Sequence, residues 1–251
     1  MRETQNSDMS VIYGRNAVLE ALKSDKEFDK IFVKKGEREG SIKLLVAKAR
    51  ERNIPVLDAS LSKLDELSEG GVHQGVVALV SQVTYSEVSD ILAMAREKGE
   101  SPFLVICDGI SDPHNLGAVI RSAECAGAHG VIIPKHRSAT VSATAVKSSA
   151  GAVNLMPIAR VTNLSNLIDS LKDEGFFIYG AEAGGSSVYE TDMRGSTALV
   201  LGSEGDGISR LVKSKCDFIV SIPMYGRVNS YNVSCAAAII LSEAARQRHK
   251  Q

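Results

Sequence analysis

Four short polar side chains, Asn229, Ser230, Asn232 and Ser234, crowd into "VNSYNVSCAAAIIL" just ahead of an alanine-rich helix. A helix start needs one such residue, because one side-chain oxygen answers one of its orphan N–H groups. Ser230 can be that cap, with Asn229 as the alternative, and the spare polar groups are left to line a cavity. A second loop, "LGSEGDGIS", sets Gly202, Gly205 and Gly207 among two carboxylates, Glu204 and Asp206. It has neither the G-x-G-x-x-G order of a dinucleotide site nor the Lys-Ser/Thr ending of a phosphate loop. Its negative charge repels a triphosphate, so it suits a neutral or cationic ligand that needs close backbone approach. A third loop, "DGISDPHN", runs through Pro113 into a helix carrying Asn115 and Arg121. Arg121 stands off the apolar face of Leu116, Val119, Ile120 and Ala123, where its planar fork suits phosphate oxygens. Taken singly, these are also the marks of a plain turn, a solvated arginine and an ordinary cap. His114 and His129 read as loop or surface residues, and with no cluster of metal-ligand spacing no metal is expected.

What must hold these loops is a sheet that sends its strand exits to one end. The runs "FLVICD", "GVIIP", "FFIYGAE", "ALVLGS" and "DFIVSIP" are continuously apolar rather than alternating. Strands of that kind are covered on both faces, which implies a mainly parallel sheet between helices. Ligands in such sheets lie beyond the carboxyl ends of the strands, where all three loops fall. Ahead of this region, residues 11–81 read as a small α/β unit. Its helices are "GRNAVLEALKS", "SIKLLVAKARERN" opened by Ser41 as cap, and "SLSKLDELS"; its strands are "KIFVK", "IPVLDA" and "GVVALV". Residues 1–10 read as a disordered start, 82–101 as a polar linker with one helix around "SEVSDILAMAREKG", and 102–251 as the larger domain.

The 251 residues are 44% hydrophobic and 24% charged, an ordinary globular composition with no run long enough to span a membrane. Net charge is −1, so no global field marks a nucleic-acid partner. Locally, Lys30 to Arg52 holds eight Lys or Arg against three Glu. Such a run is either a solvated face or a nucleic-acid footprint. The four cysteines, Cys107, Cys125, Cys216 and Cys235, lie far apart and read as buried free thiols in a reducing cytoplasm.

In chain order, "DPHNLGAVIRSAECAGAHGVII", "LVLGSEGDGIS" and "IPMYGRVNSYNVSCAAAIIL" resemble the SpoU (TrmH-type) branch of the SPOUT RNA methyltransferases. "KSSAGAVNLMPIARVTNL" fits the family too, and the likeness is dense over residues 103–248. "VIYGRNAVLEAL" and "GGVHQGVVALV" look like the small substrate-binding domain of its ribosomal RNA members. The resemblance implies a SPOUT-type, trefoil-knotted, mainly parallel-sheet catalytic domain behind a small α/β RNA-binding domain. It implies S-adenosylmethionine as cofactor, held at Leu201, Gly202, Ile222, Met224 and Tyr231; the family usually has leucine where this chain has Tyr231. It further implies a homodimer, and a ribose 2′-hydroxyl of a guanosine in 23S ribosomal RNA as acceptor, with neither DNA nor membrane as partner. The catalytic residues carried over by motif are Asn115, Arg121, Glu204, Ser230 and Asn232. Arg121 of one protomer would serve the other's cofactor. Because a guanidinium keeps its proton in water and makes a poor base, its role is read as gripping phosphate and stabilising charge on the oxygen. Arg15, Lys34, Lys35 and Arg38 are the expected RNA contacts. Two alternatives stay open: a transfer RNA methyltransferase of the same family, and a non-catalytic RNA-binding protein on the same scaffold.

Overall fold

The computed structural model describes residues 10–24, 26–36, 39–81 and 83–249. Nine of the ten residues expected to form a disordered start, and Arg38 among the expected RNA contacts, lie outside the described residues. The chain divides into two units between Thr84 and Tyr85.

The first unit is a four-stranded sheet of β1 (Ser10–Tyr13), β2 (Phe28–Lys34), β3 (Val56–Ala59) and β4 (Val76–Val80), in the order β1-β4-β2-β3. Only β2 and β3 run parallel. Side chains alternate across β4, so Val76, Ala78 and Val80 face one way and Val77 and Leu79 the other. The first face is covered by α1 (Arg15–Ala21) and α2 (Ser41–Glu51) through Val18, Ile42, Leu45 and Ala49. The second is covered by α3 (Leu61–Leu67) through Leu64 and Leu67. Ser41 proves to be the first residue of α2 rather than its cap; Gly40 holds the cap position without a side chain to offer. Ser60 does cap α3, its Oγ accepting from the Lys63 N–H at 3.3 Å. Arg52, one of the basic run, is a structural clamp, donating to the carbonyls of Leu22, Ser24 and Lys26.

In the second unit, β5 (Phe103–Asp108), β6 (Gly130–Pro134), β7 (Ile158–Val161), β8 (Phe177–Ser187), β9 (Thr197–Gly202) and β10 (Phe218–Ser221) are all parallel, in the order β10-β8-β9-β5-β6-β7. Helix α4 (Val88–Glu97), α7 (Leu164–Asp173) and α8 (Arg210–Lys213) supply Ile91, Leu92, Ile168, Leu171 and Val212 to the core on one face, against Leu104, Ile106, Ile178 and Val200. The other face takes α5 (Pro113–Cys125) and α9 (Val233–Arg248), which pack on each other, with α6 (Ala143–Ser148) against α5. A Cβ on Gly117 would collide with the Ala145 carbonyl and the Ser148 hydroxyl, so the contact between α5 and α6 requires glycine there. Residues 88–97, inside the stretch read as a linker, thus bury an apolar stripe in this unit's core. The parallel sheet between helices is the architecture expected from the apolar runs.

Candidate active site

From β5 the chain builds outward through β6 to β7, then returns to place β9 on the other side of β5. The order of winding reverses at the β5–β9 border, the position where such sheets open a crevice at their carboxyl ends. Asp108 and Gly202, the last residues of these two strands, are direct partners across that border. The three polar loops all leave from this end: "DGISDPHN" after β5, "SEGDGIS" after β9, and the asparagine–serine stretch after β10.

Side-chain hydrogen bonds tie the three together. Asn232 caps α9, its Oδ1 accepting from the Ser234 N–H at 2.9 Å and the Ser234 hydroxyl at 2.6 Å. That fixes which way the Asn232 amide points, and its Nδ2 donates to Asn115 Oδ1 at 3.1 Å. The Asn115 Nδ2 in turn donates to Glu204 Oε1 at 2.7 Å. A directional run from Ser234 through two amides to a carboxylate therefore spans loops 117 and 89 residues apart in sequence. The cap is Asn232, not Ser230 or Asn229 as the sequence reading had it. Ser230 and Asn229 are exposed, with no side-chain hydrogen bond among the described residues.

Backbone geometry shapes the glycine loop. Ser203 and Gly207 exchange N–H···O bonds of 3.0 and 3.1 Å, closing a tight turn whose Gly207 sits at φ +67°. A Cβ on Gly202 would run into the backbone of Gly207 and Ile208, so a bare backbone is required there. The Asp108 carboxylate holds the far end of the turn, accepting from the Ser209 N–H at 2.7 Å. Sequence reasoning passed over Asp108, although it closes the "FLVICD" run beside the first loop. No lysine or arginine side chain bonds into this cluster among the described residues, and Glu204 favours a ligand with positive charge. A sulfonium approached by peptide groups is such a ligand. Of the residues expected to hold it, Leu201 and Gly202 are buried, Ile222 is half-buried, and Met224 and Tyr231 stand 37% and 48% exposed.

Arg121 is not part of this run. It is exposed on α5, with no hydrogen bond or ion pair from its side chain among the described residues. Six residues along a helix carry it about 9 Å beyond Asn115 and about 120° around the axis. In the first unit, Arg15 and Lys34 lie at the same end of the sheet, with exposed Lys35 next to Lys34.

Two expectations about single residues need correction. Cys107 is buried, which pushes its thiol up to about 12, and Cys216 is half-buried and pushed up to about 11. Cys125 and Cys235 are instead exposed, on outward faces of α5 and α9. His129 lies in the loop before β6, as one of its two readings had it, but not at the surface. It is 6% exposed, its Nδ1 accepting from the Phe103 N–H at 3.0 Å and its Nε2 lying 2.9 Å from Glu100. Desolvation lowers its pKa below 6.5, and the Glu100 carboxylate only partly opposes this. The unfolded chain then binds a proton that the folded ring resists, so stability falls as pH drops below the unfolded value. Urea unfolding between pH 7.5 and 5 is expected to show this decline, and His129→Gln to flatten it; equal slopes in both proteins would contradict it.

Residues 102–242 match the SpoU rRNA Methylase family, and residues 11–86 match the family of RNA 2′-O ribose methyltransferase substrate binding domains. A Staphylococcus aureus protein assigned to the TrmH family of tRNA/rRNA methyltransferases is 44% identical over 243 residues, covering 96% of this chain and 97% of its own. The crystal structure of an AdoMet-bound rRNA methyltransferase from Sinorhizobium meliloti superposes with a TM-score of 0.59 at 26% identity, covering 95% of this chain and 87% of that one. The TrmH/SpoU tRNA modifying enzyme of A. aeolicus gives a TM-score of 0.54 at 28% identity, covering 64% of this chain and 84% of that one. The fold is thus of the SPOUT type expected from the sequence motifs.

Proposed function

The chain belongs to the SpoU rRNA Methylase family, and from that premise we infer that it is an S-adenosylmethionine-dependent RNA 2′-O-methyltransferase acting on a guanosine of 23S ribosomal RNA. The observation that carries this reading is the hydrogen-bonded run Asn232–Asn115–Glu204 at the β5–β9 switch point. It joins the three family motifs into one polar wall beside a glycine turn.

Bound S-adenosylmethionine supplies an electrophilic methyl on a positively charged sulfur. Backbone groups at Leu201, Gly202, Ile222 and Met224 would hold it, with Tyr231 beside its adenine. Glu204 supplies negative potential at the mouth. Asn115, Asn232 and Ser230 would orient the acceptor ribose for attack by its 2′-oxygen. Alignment of this kind is worth up to about 7–11 kcal/mol. Arg121, which bonds to nothing described in its own chain, would serve the site of a second copy. There it grips the neighbouring phosphate and stabilises charge developing on the oxygen. The homodimer this requires is supported by outward stripes of small residues: α9 leaves Cys235, Ala238 and Ser242 exposed, and α5 leaves Cys125 exposed beside Arg121. A reducing cytoplasm, which would keep the exposed Cys125 and Cys235 as thiols, is the compartment this reading implies.

Ribosomal RNA is preferred over transfer RNA because the first unit matches a substrate-binding family, whereas the A. aeolicus tRNA enzyme covers 64% of the chain. Labelled S-adenosylmethionine is expected to mark 23S rRNA in an alkali-resistant linkage, and to leave an RNA with a 2′-deoxy acceptor unmarked, since the hydroxyl is the nucleophile. Label confined to tRNA would move the substrate within the family; label on the deoxy acceptor would refute ribose chemistry.

A further inference from the structure

The two amino-terminal motifs, "VIYGRN" and "GGVHQG", fold onto each other at one end of the first sheet. Tyr13 ends β1, and its ring occupies the place of a side chain on Gly71: a Cβ there would stand 2.5 Å from the tyrosine Cζ. One side of the ring is braced by bare backbone, yet the residue is 41% exposed. Its hydroxyl makes no hydrogen bond among the described residues, unlike that of Tyr179, which donates to the Asp192 carbonyl at 2.6 Å.

The loop behind the ring is stiff. His73 is buried, with Nδ1 accepting from the Gly75 N–H at 3.0 Å and Nε2 lying 3.1 Å from Asp65. The Ser68 hydroxyl donates to the Gly71 carbonyl at 3.3 Å. Gln74, at φ +50°, accepts the Arg15 N–H through Oε1 at 3.1 Å, capping α1 where Gly14 cannot. The Arg15 Nε donates to the Gln74 carbonyl at 2.9 Å, which fixes the direction of the guanidinium. The Lys34 N–H donates to the Gly75 carbonyl at 2.9 Å, so Lys34 and exposed Lys35 border the same loop.

We propose that Tyr13 is a stacking platform for an unpaired RNA base, with Arg15, Lys34 and Lys35 around it for the flanking phosphates. This rests on the RNA methyltransferase reading and adds to it a residue and a mode of recognition. An aromatic ring pre-set against backbone loses little entropy on binding, and every base presents a π-face. The cations supply the charge complement of a phosphodiester, which an apolar protein partner would lack.

The chain contains no tryptophan, so Tyr13→Trp adds a single indole reporter. In the full-length protein, that indole is expected to be quenched by single-stranded rRNA fragments and not by a duplex of the same sequence. By fluorescence anisotropy, Tyr13→Ala should weaken single-strand binding at least about fivefold with an unchanged salt slope. Tyr13→Phe should bind as wild type, and Lys35→Ala should lower the salt slope by about one. 2-Aminopurine placed in the RNA gives the same reading on unaltered protein, independent of how any variant folds. Equal affinity of Tyr13→Ala and wild type for single strands, or 2-aminopurine left unquenched, would overturn the platform while methyl transfer stands. Wild-type protein that neither binds nor methylates any RNA would overturn both.

Discussion

Replacing Arg121 with alanine is expected to slow methyl transfer by at least about 10²–10³-fold, the scale seen when one donor to a developing oxyanion is removed. The cofactor's dissociation constant should hardly move. The side chain is exposed and bonds to nothing described in its own chain, so the fold loses no contact with it. Nor does it reach the run Asn232–Asn115–Glu204, which leaves the cofactor side of the site intact. Arg121→Lys keeps the charge but not the planar fork, and should recover only part of the rate. Isothermal titration with S-adenosylmethionine, beside single-turnover transfer, separates the two effects. Turnover at the wild-type rate in Arg121→Ala would remove this residue from the chemistry. A parallel loss of cofactor affinity would place it in the donor site instead.

Gly202→Ala should show the opposite split, with cofactor binding lost first. The added methyl meets the main chain of Gly207 and Ile208, which cannot rotate away as a flexible side chain would. The turn closed by Ser203 and Gly207 must shift, carrying Glu204 with it. Overpacking of this kind costs about 1–3 kcal/mol of stability. Displacing the peptide groups that would hold the cofactor should weaken its affinity at least tenfold, an effect of about 1.4 kcal/mol or more. The control lies three residues on. A Cβ at Gly205 meets nothing within 4 Å, so Gly205→Ala should leave stability and affinity close to wild type. Urea melts and titration of the two variants side by side decide it. If both glycines tolerate alanine equally, the close approach at Gly202 has no functional weight.

Read as text, "LGSEGDG" makes its glycines look equivalent; only the fold separates the crowded Gly202 from the open Gly205. The sheet itself was legible because burial on both faces writes continuous apolar strands, and parallel winding then sends every exit loop to one end. What escaped was set by contacts distant in sequence. Strand β7 is four residues, "IARV", holding an arginine, and only its place beside β6 makes it a strand. Helix α4 was legible as a helix but not as part of the core, because Ser89, Asp90 and Glu97 face solvent and its buried stripe is only Ile91, Leu92 and Ala95. Four polar residues before α9 could each cap it; Asn115, 117 residues away, is what holds Asn232 in that position. His129 gave no sign of burial because its two partners, the Phe103 N–H and Glu100, lie more than twenty residues upstream.

The most direct test of a site built from one protomer's loops and another's arginine is to mix two impaired variants, at a cofactor concentration too low to fill the Gly202→Ala pocket. Arg121→Ala keeps its donor pocket, and Gly202→Ala keeps its arginine. Co-expressed in equal amounts and purified together, they should form mixed dimers with one complete site each, and about a quarter of wild-type methyl transfer should return. If the mixture is no more active than the mean of its parents although mixed dimers are present, Arg121 does not act across the interface.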